Sequence, residues 1–208
     1  MTDDFTLYKQ SLERWMDYGV MYHGRVEPTW NKLDFDWIKT YCIEEFDVND
    51  TWDSPASRFK LWQEELYKSW GHSKESTEHY MAFDPVIDFS ARPIFKEIGC
   101  NKTFHSFNFM RIPAGMIIPW HCDTYAYFVK KFDIAPEEIT RVKRAIVFME
   151  DWSFGQTAQF GRSALCHWEA GDVYSWDHAA WHGVANFGSK PITVMQVTYY
   201  DTTDTDKS

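Results

Sequence analysis

The spacing of apolar positions along this chain changes near residue 100. Before that point it is helical. Between Phe5 and Tyr18, residues Leu7, Leu12, Trp15 and Met16 fall on an approximate helical stripe that Gly19 ends. The stretch DSPASRFKLWQEELYKSWG is clearer: Ser54 suits an N-cap, Pro55 the first turn, and Gly71 the stop, while Phe59, Trp62, Leu66 and Trp70 share one face. A shorter helix is predicted from Pro93 to Ile98. Beyond residue 100 the period shortens towards two, with turn signals between short runs, which predicts strands at 104–112, 116–121, 144–150, 158–168, 172–176, 182–186 and 192–200. Residues 124–143 interrupt them, with a helix expected from APEE, where Pro136 and two glutamates suit a first turn.

Many short strands after a helical segment predict a mainly β (α+β) fold: a double-stranded β-helix, or jelly roll, of cupin-like form with an N-terminal helical extension. The expected organisation is a single domain over 1–208. Residues 1–100 form a mostly helical support, 101–200 the β core with the 124–143 insertion, and 201–208 a polar tail.

Composition narrows the function. Hydrophobic residues make up 44% of the chain and aromatic residues 18%, with 11 Trp, which suits a core plus an aromatic-lined cleft. The formal net charge of -10 repels a phosphate backbone, so nucleic acid is not an expected partner. The densest basic cluster, RVKR at 141–144, is too short for a nucleic-acid footprint. No apolar run approaches the roughly 20 residues that span a bilayer, and MTDDFTLYKQ has neither the basic nor the apolar region of a secretory signal. Cys42, Cys100, Cys122 and Cys166 lack CxxC spacing and read as free thiols, giving a cytoplasmic expectation.

The candidate chemistry starts at IPWHCDTY, where His121 and Asp123 sit one residue apart at a strand end. Alternation puts i and i+2 on one face, so a metal site needs one further ligand. His23, His72 and His79 lie in polar surroundings of the helical half, and His105 opens a strand. His167 ends a strand before a turn, and His178 belongs to the polar turn WDHAA. His182 opens a strand about 60 residues after the pair, where a folded-over sheet brings it across from His121. Two imidazoles and one carboxylate on one face of an octahedron hold Fe(II) and leave three positions open for a chelating cosubstrate and dioxygen.

Three stretches resemble the Fe(II)/2-oxoglutarate-dependent oxygenases, and within them the aspartyl/asparaginyl β-hydroxylase-like branch. They are FNFMRIPAGMIIPWHCD, RVKRAIVFMED and HWEAGDVYSWDHAAWHGVANFGSKPITVMQV, together spanning about 107 to 198. The resemblance places the iron ligands at His121, Asp123 and His182. It places Lys190 near the basic position that grips the distal carboxylate of 2-oxoglutarate, although the family usually has Arg there, slightly further along. Lysine neutralises that charge without the bidentate fork. Arg144 falls on a strand arginine facing the cosubstrate, Asn108 on a small polar position that hydrogen-bonds it, and Thr193 on a weaker match to the same role. Asp177 and Asn186 fall on supporting positions.

The resemblance implies Fe(II), 2-oxoglutarate and O2, with decarboxylation to succinate and carbon dioxide coupled to substrate hydroxylation. Asp123 stands where halogenating relatives bind chloride, which favours hydroxylation. The expected substrate is a small amino-acid-like molecule or a peptide. Tyr125, Tyr127 and Phe128 are candidates for a lid, Trp120, Trp176 and Trp181 for the cavity mouth, and Arg162 for a substrate carboxylate. Two alternatives stand beside this reading: a cupin-like metalloenzyme that does not use 2-oxoglutarate, and a non-catalytic jelly-roll binding module. Cys122, by alternation, is expected to point away from the metal.

Overall fold

In the computed structural model the described residues are 19–30, 65–73, 76–77, 80–82, 93–123, 125–177 and 180–201. The helix predicted over 5–18 and most of that over 54–70 lie outside them, and residues 65–69 are helical. The shorter predicted helix is α1 (Pro93–Glu97), with Ile94 and Phe95 buried.

Among the described residues ten strands form two antiparallel sheets. They are β1 (Met21–Arg25), β2 (Tyr80–Ala82), β3 (Cys100–Ile112), β4 (Ile117–His121), β5 (Val142–Phe148), β6 (Gln156–Phe160), β7 (Ser163–Leu165), β8 (Asp172–Asp177), β9 (His182–Asn186) and β10 (Ile192–Asp201). The larger sheet has the order β1-β8-β5-β10-β3-β2 and the smaller β4-β9-β6-β7. Strands β3 to β10 therefore contribute four strands to each sheet and cross between the sheets at every connection except β6–β7, the connectivity of a jelly roll.

The central strand β10, ITVMQVTYYD, is buried on both faces along almost its whole length. Its odd positions Met195, Val197 and Tyr199 pack with Phe95, Phe107 and Phe109 under α1. Its even positions Ile192 and Val194 meet Met110, Ile112, Ile146, Phe148 and Phe160 between the sheets. Period-two alternation thus divides one strand between two cores. Trp30, 2% exposed, closes the outer core by donating Nε1–H to the Met149 carbonyl at 2.7 Å.

Several predicted elements are corrected. The run 158–168 is two strands, because Gly161 adopts φ 51° and turns the chain between β6 and β7. β1 and β2 lie in the half expected to be helical. They are short edge strands that gain their hydrogen bonds from β8 and β3, and Met21 and Tyr22 stay exposed, so no apolar alternation marked them. In the insertion an α-helix, α2 (Ala126–Phe132), precedes APEE, and Pro136–Arg141 is a 3-10 turn. Nor is the segment a loose cover: Tyr125, Phe128, Ile134, Val142 and Tyr200 form a core of their own. Two RVKR side chains serve the fold, Arg141 binding the Asp201 carbonyl and Lys143 its carboxylate.

Among the described residues the cysteines Cys100, Cys122 and Cys166 are free thiols. No helix there is long and apolar enough to cross a membrane.

Candidate metal centre

β4 and β9 are neighbours in the smaller sheet, and His121 stands opposite His182 in their register, ring centroids 4.2 Å apart. The backbones approach closely here: a Cβ on Gly183 would lie 3.0 Å from the Ile118 carbonyl oxygen. Each ring is oriented by its own chain. His121 Nδ1 lies 2.8 Å from the Pro119 carbonyl oxygen, and His182 Nδ1 lies 2.9 Å from that of Ala180. A carbonyl can only accept, so Nδ1 carries the proton in both rings. In the neutral imidazole Nε2 then presents a lone pair.

Both lone pairs face Asp123. His182 Nε2 is 3.5 Å from Asp123 Oδ2, and His121 Nε2 is 3.9 Å from Asp123 Oδ1. One ligand atom from each of the three residues lies within 4.8 Å of the others. Arg144 Nη1 donates to Asp123 Oδ1 at 2.8 Å, whereas Oδ2 is buried with no hydrogen-bond partner. A buried carboxylate oxygen without a partner is costly unless a cation satisfies it. Two neutral imidazoles and a carboxylate fit a divalent transition metal.

Electrostatics keep the ligands in binding form. Burial, reinforced by neighbouring His121, pushes the His182 pKa down to about 3, so its ring is neutral at pH 7. Burial pushes the Asp123 pKa up, but Arg144, His182 and His121 more than offset it and hold the carboxyl below its usual range. Cys122 is buried, and burial with the adjacent Asp123 charge pushes its thiol far up, leaving it outside the ligand set. Arg144 is itself positioned: Nε and Nη2 donate to Thr198 Oγ1 at 3.2 and 3.1 Å, and its guanidinium carbon lies 4.9 Å from the Tyr125 ring centroid.

The three ligands and Arg144 line one cavity of about 770 Å³, shared with Ile146, Phe148, Phe160, Trp176 and Gln196. Asn108 is half-buried opposite Gln196, on the same face of β3 as Met110 and Ile112, one step from the lining. Two predicted cosubstrate residues are elsewhere. Thr193 sits on the opposite face of β10, where its Oγ1 accepts from Arg111 Nη1 at 2.8 Å, because odd and even positions of a strand point apart. Lys190 is exposed in the loop before β10 and does not line the cavity.

Asn186 is fully buried, and its Nδ2 donates to the Ile112, Pro113 and Lys190 carbonyls. It fixes the loops at the far end of the barrel rather than the metal ligands. Trp176 lines the cavity, its ring 4.9 Å from that of His182, whereas Trp181 is buried outside the lining. Arg162 is exposed in the β6–β7 turn. His167 is exposed beside Trp152. The Asp177 side chain and His178 lie outside those described. Sequence reasoning missed Gln196, and also Tyr67, Lys68, His72, Ser73 and Thr77, which line the cavity from more than 40 residues before His121. No local motif marks them.

The crossing of β3 to β10 between two sheets, broken only at the β6–β7 hairpin, decides the architecture. The fold is a cupin-type jelly roll. No family model matches the chain, and no curated protein matches it in sequence. Solved structures with similar backbones include EvdMO1, 12% identical over 93% of this chain and 50% of that one, TM-score 0.46. The non-heme monooxygenase ThoJ in complex with nickel is 19% identical over 46% of this chain and 43% of that one, TM-score 0.37. The Schizosaccharomyces pombe Cnp3 cupin domain is 10% identical over 66% and 78%, TM-score 0.36.

Proposed function

We propose that this protein is an Fe(II)- and 2-oxoglutarate-dependent dioxygenase that hydroxylates a substrate bound in the barrel cavity. The observation that carries the reading is the convergence of His121 Nε2, His182 Nε2 and the unpartnered Asp123 Oδ2 on one point of the cavity wall. Bound iron would supply dioxygen activation coupled to decarboxylation of 2-oxoglutarate.

The chain's own contributions are separable. Pro119 and Ala180 fix the histidine tautomers through their carbonyls. Arg144 takes one carboxylate oxygen of Asp123 and thereby leaves the other for the metal. It is also a half-buried cation of the cavity wall, a place where a carboxylate of the cosubstrate would find a charge-assisted partner, with Thr198 beside it. The apolar lining from both sheets keeps water scarce around the ligands.

One observation favours a second reading, a metal-dependent cupin enzyme without 2-oxoglutarate. The positions at the start of β10 that face the cavity are Ile192 and Val194, and Lys190 lies outside it, so β10 offers no cation to a distal carboxylate.

Thermal melting with Mn(II), then with Mn(II) and 2-oxoglutarate, separates the two, because a ligand that binds only the folded state raises the melting point. The proposal expects a shift from metal and a further one from 2-oxoglutarate, followed by succinate release with Fe(II). A shift from metal alone supports the second reading, and no shift from either refutes both.

A further inference from the structure

Two residues after Asp123 the chain turns into α2 through Tyr125, whose backbone is left-handed at φ 50° and ψ 15°. Among the described residues the other non-glycine with positive φ is Asp133, which ends the same helix. Aspartate tolerates that region, whereas a bulky aromatic residue there is an outlier that its surroundings must hold in place. Glycine would turn the chain freely, so the side chain of Tyr125 has to account for its presence. Packing explains the ring: it is buried with Phe128, Ile134, Val142 and Tyr200, and one face lies 4.9 Å from the Arg144 guanidinium carbon. Packing does not explain the hydroxyl. It is buried beside the Asp123 carboxylate without closing a hydrogen bond to it or to any other group. Phenylalanine would fill the same core and strand nothing, and buried donors are normally paired. Burial, and then the Asp123 charge, hold the phenol well above its usual pKa, so it stays a donor.

We infer that Tyr125 is a positioning residue of the metal centre: its left-handed backbone and buried ring aim the hydroxyl at Asp123, to which it donates when a divalent cation is bound. The inference rests on the reading of His121, Asp123 and His182 as a metal centre. Without the cation, Asp123 is drawn towards Arg144 Nη1 at 2.8 Å, and its Oδ2 lies 3.5 Å from His182 Nε2 with no partner. A cation shared by Oδ2 and the imidazoles adds a third pull on the carboxylate, and the phenol is a buried donor beside it that is still unused. Arg144 and Tyr125 then act together, one through its charge and one through its hydroxyl, to fix the ligand that carries the negative charge.

Tyr125→Phe keeps the ring and removes the hydroxyl alone. Its Mn(II) affinity, read from the electron paramagnetic resonance signal of free Mn(II), should fall about tenfold, the usual effect of losing a hydrogen bond to a metal ligand. Urea unfolding of the chelator-treated variant should show a midpoint no lower than wild type, because the hydroxyl has no partner to lose in that state. Tyr200→Phe is the control. Tyr200 belongs to the same small core, and its hydroxyl donates to Glu138 Oε1 at 2.6 Å. That variant should lower the urea midpoint and leave Mn(II) affinity unchanged. Wild-type Mn(II) affinity in Tyr125→Phe overturns the inference, and a lowered urea midpoint with that affinity marks the hydroxyl as an ordinary part of the core. Absence of Mn(II) binding by the wild-type protein refutes the metal centre itself, and the role of Tyr125 with it. Because neither measurement uses 2-oxoglutarate, absent succinate release with the expected Mn(II) result refutes the dioxygenase reading and leaves the role of Tyr125 standing.

Discussion

Arg144 holds Asp123 by one oxygen only: Nη1 lies 2.8 Å from Oδ1, and Oδ2 is left buried, without a partner, 3.5 Å from His182 Nε2. A carboxylate tethered this way leaves Oδ2 as the oxygen free for a metal. The tether is held in turn by Thr198 and by the face of Tyr125.

Arg144→Met should therefore destabilise the metal-free protein by about 3 kcal/mol, because it leaves an uncompensated charge in a largely buried site. Mn(II) binding should weaken about tenfold or more as Asp123 loses its orientation. Arg144→Lys should fall between, since an ammonium cannot span Asp123 and Thr198 together. Urea denaturation and a Mn(II) titration read the two effects. Wild-type values in both would remove Arg144 from the site.

Replacement of a ligand is the direct test of the centre. His182→Ala should lose both the metal-dependent rise in melting point and succinate release. Retained 2-oxoglutarate turnover in that variant would refute the ligand assignment.

Residues that the fold keeps out of the cavity should behave differently. Lys190→Ala is expected to leave the KM for 2-oxoglutarate within about twofold of wild type, because its side chain is exposed outside the lining. Thr193→Val should likewise spare that KM, but it should cost about 1–3 kcal/mol of stability by removing the buried acceptor that lies 2.8 Å from Arg111 Nη1. Steady-state kinetics and denaturation distinguish these from Arg144→Met, for which KM rises.

The pH dependence of the chelator-treated protein follows from His182. Its folded pKa of about 3 lies below the ordinary value of 6.5, so between those limits the unfolded chain binds the extra proton. Stability from this group is complete above pH 6.5 and falls as pH drops towards 3. Urea midpoints should decline between pH 7 and 4.5, and His182→Gln should flatten that decline. An equal slope in the variant would assign the loss to other groups.

Gly183→Ala probes the strand contact beside the ligands. The new Cβ would lie 3.0 Å from the Ile118 carbonyl oxygen and 3.2 Å from the Trp120 nitrogen, both backbone atoms that yield little. The expected cost is about 1–3 kcal/mol, together with weaker metal binding as β4 and β9 separate. Unchanged melting and metal titration would show that the strands accommodate the methyl group.

Much of the β core was written in local chemistry. Period-two alternation placed β9 at 182–186 and β10 to within a residue, since each strand buries at least one face and must repeat every second position. The His-x-Asp pair and the distant histidine were legible for the same reason: a strand end followed by a turn sets their direction. The sequence left three matters open that only tertiary packing settled. Which face of β10 each residue takes depends on which core lies above it, and this turns Thr193 towards Arg111 and Gln196 towards the cavity. The edge strands β1 and β2 exist because β8 and β3 offer unpaired backbone, and no propensity in MYHGR or YMA announces them. Arg144 and Asp123, 21 positions apart, meet because β5 runs beside β10 and brings the arginine back under the end of β4. That is a matter of three-dimensional proximity, which no local pattern of residues encodes.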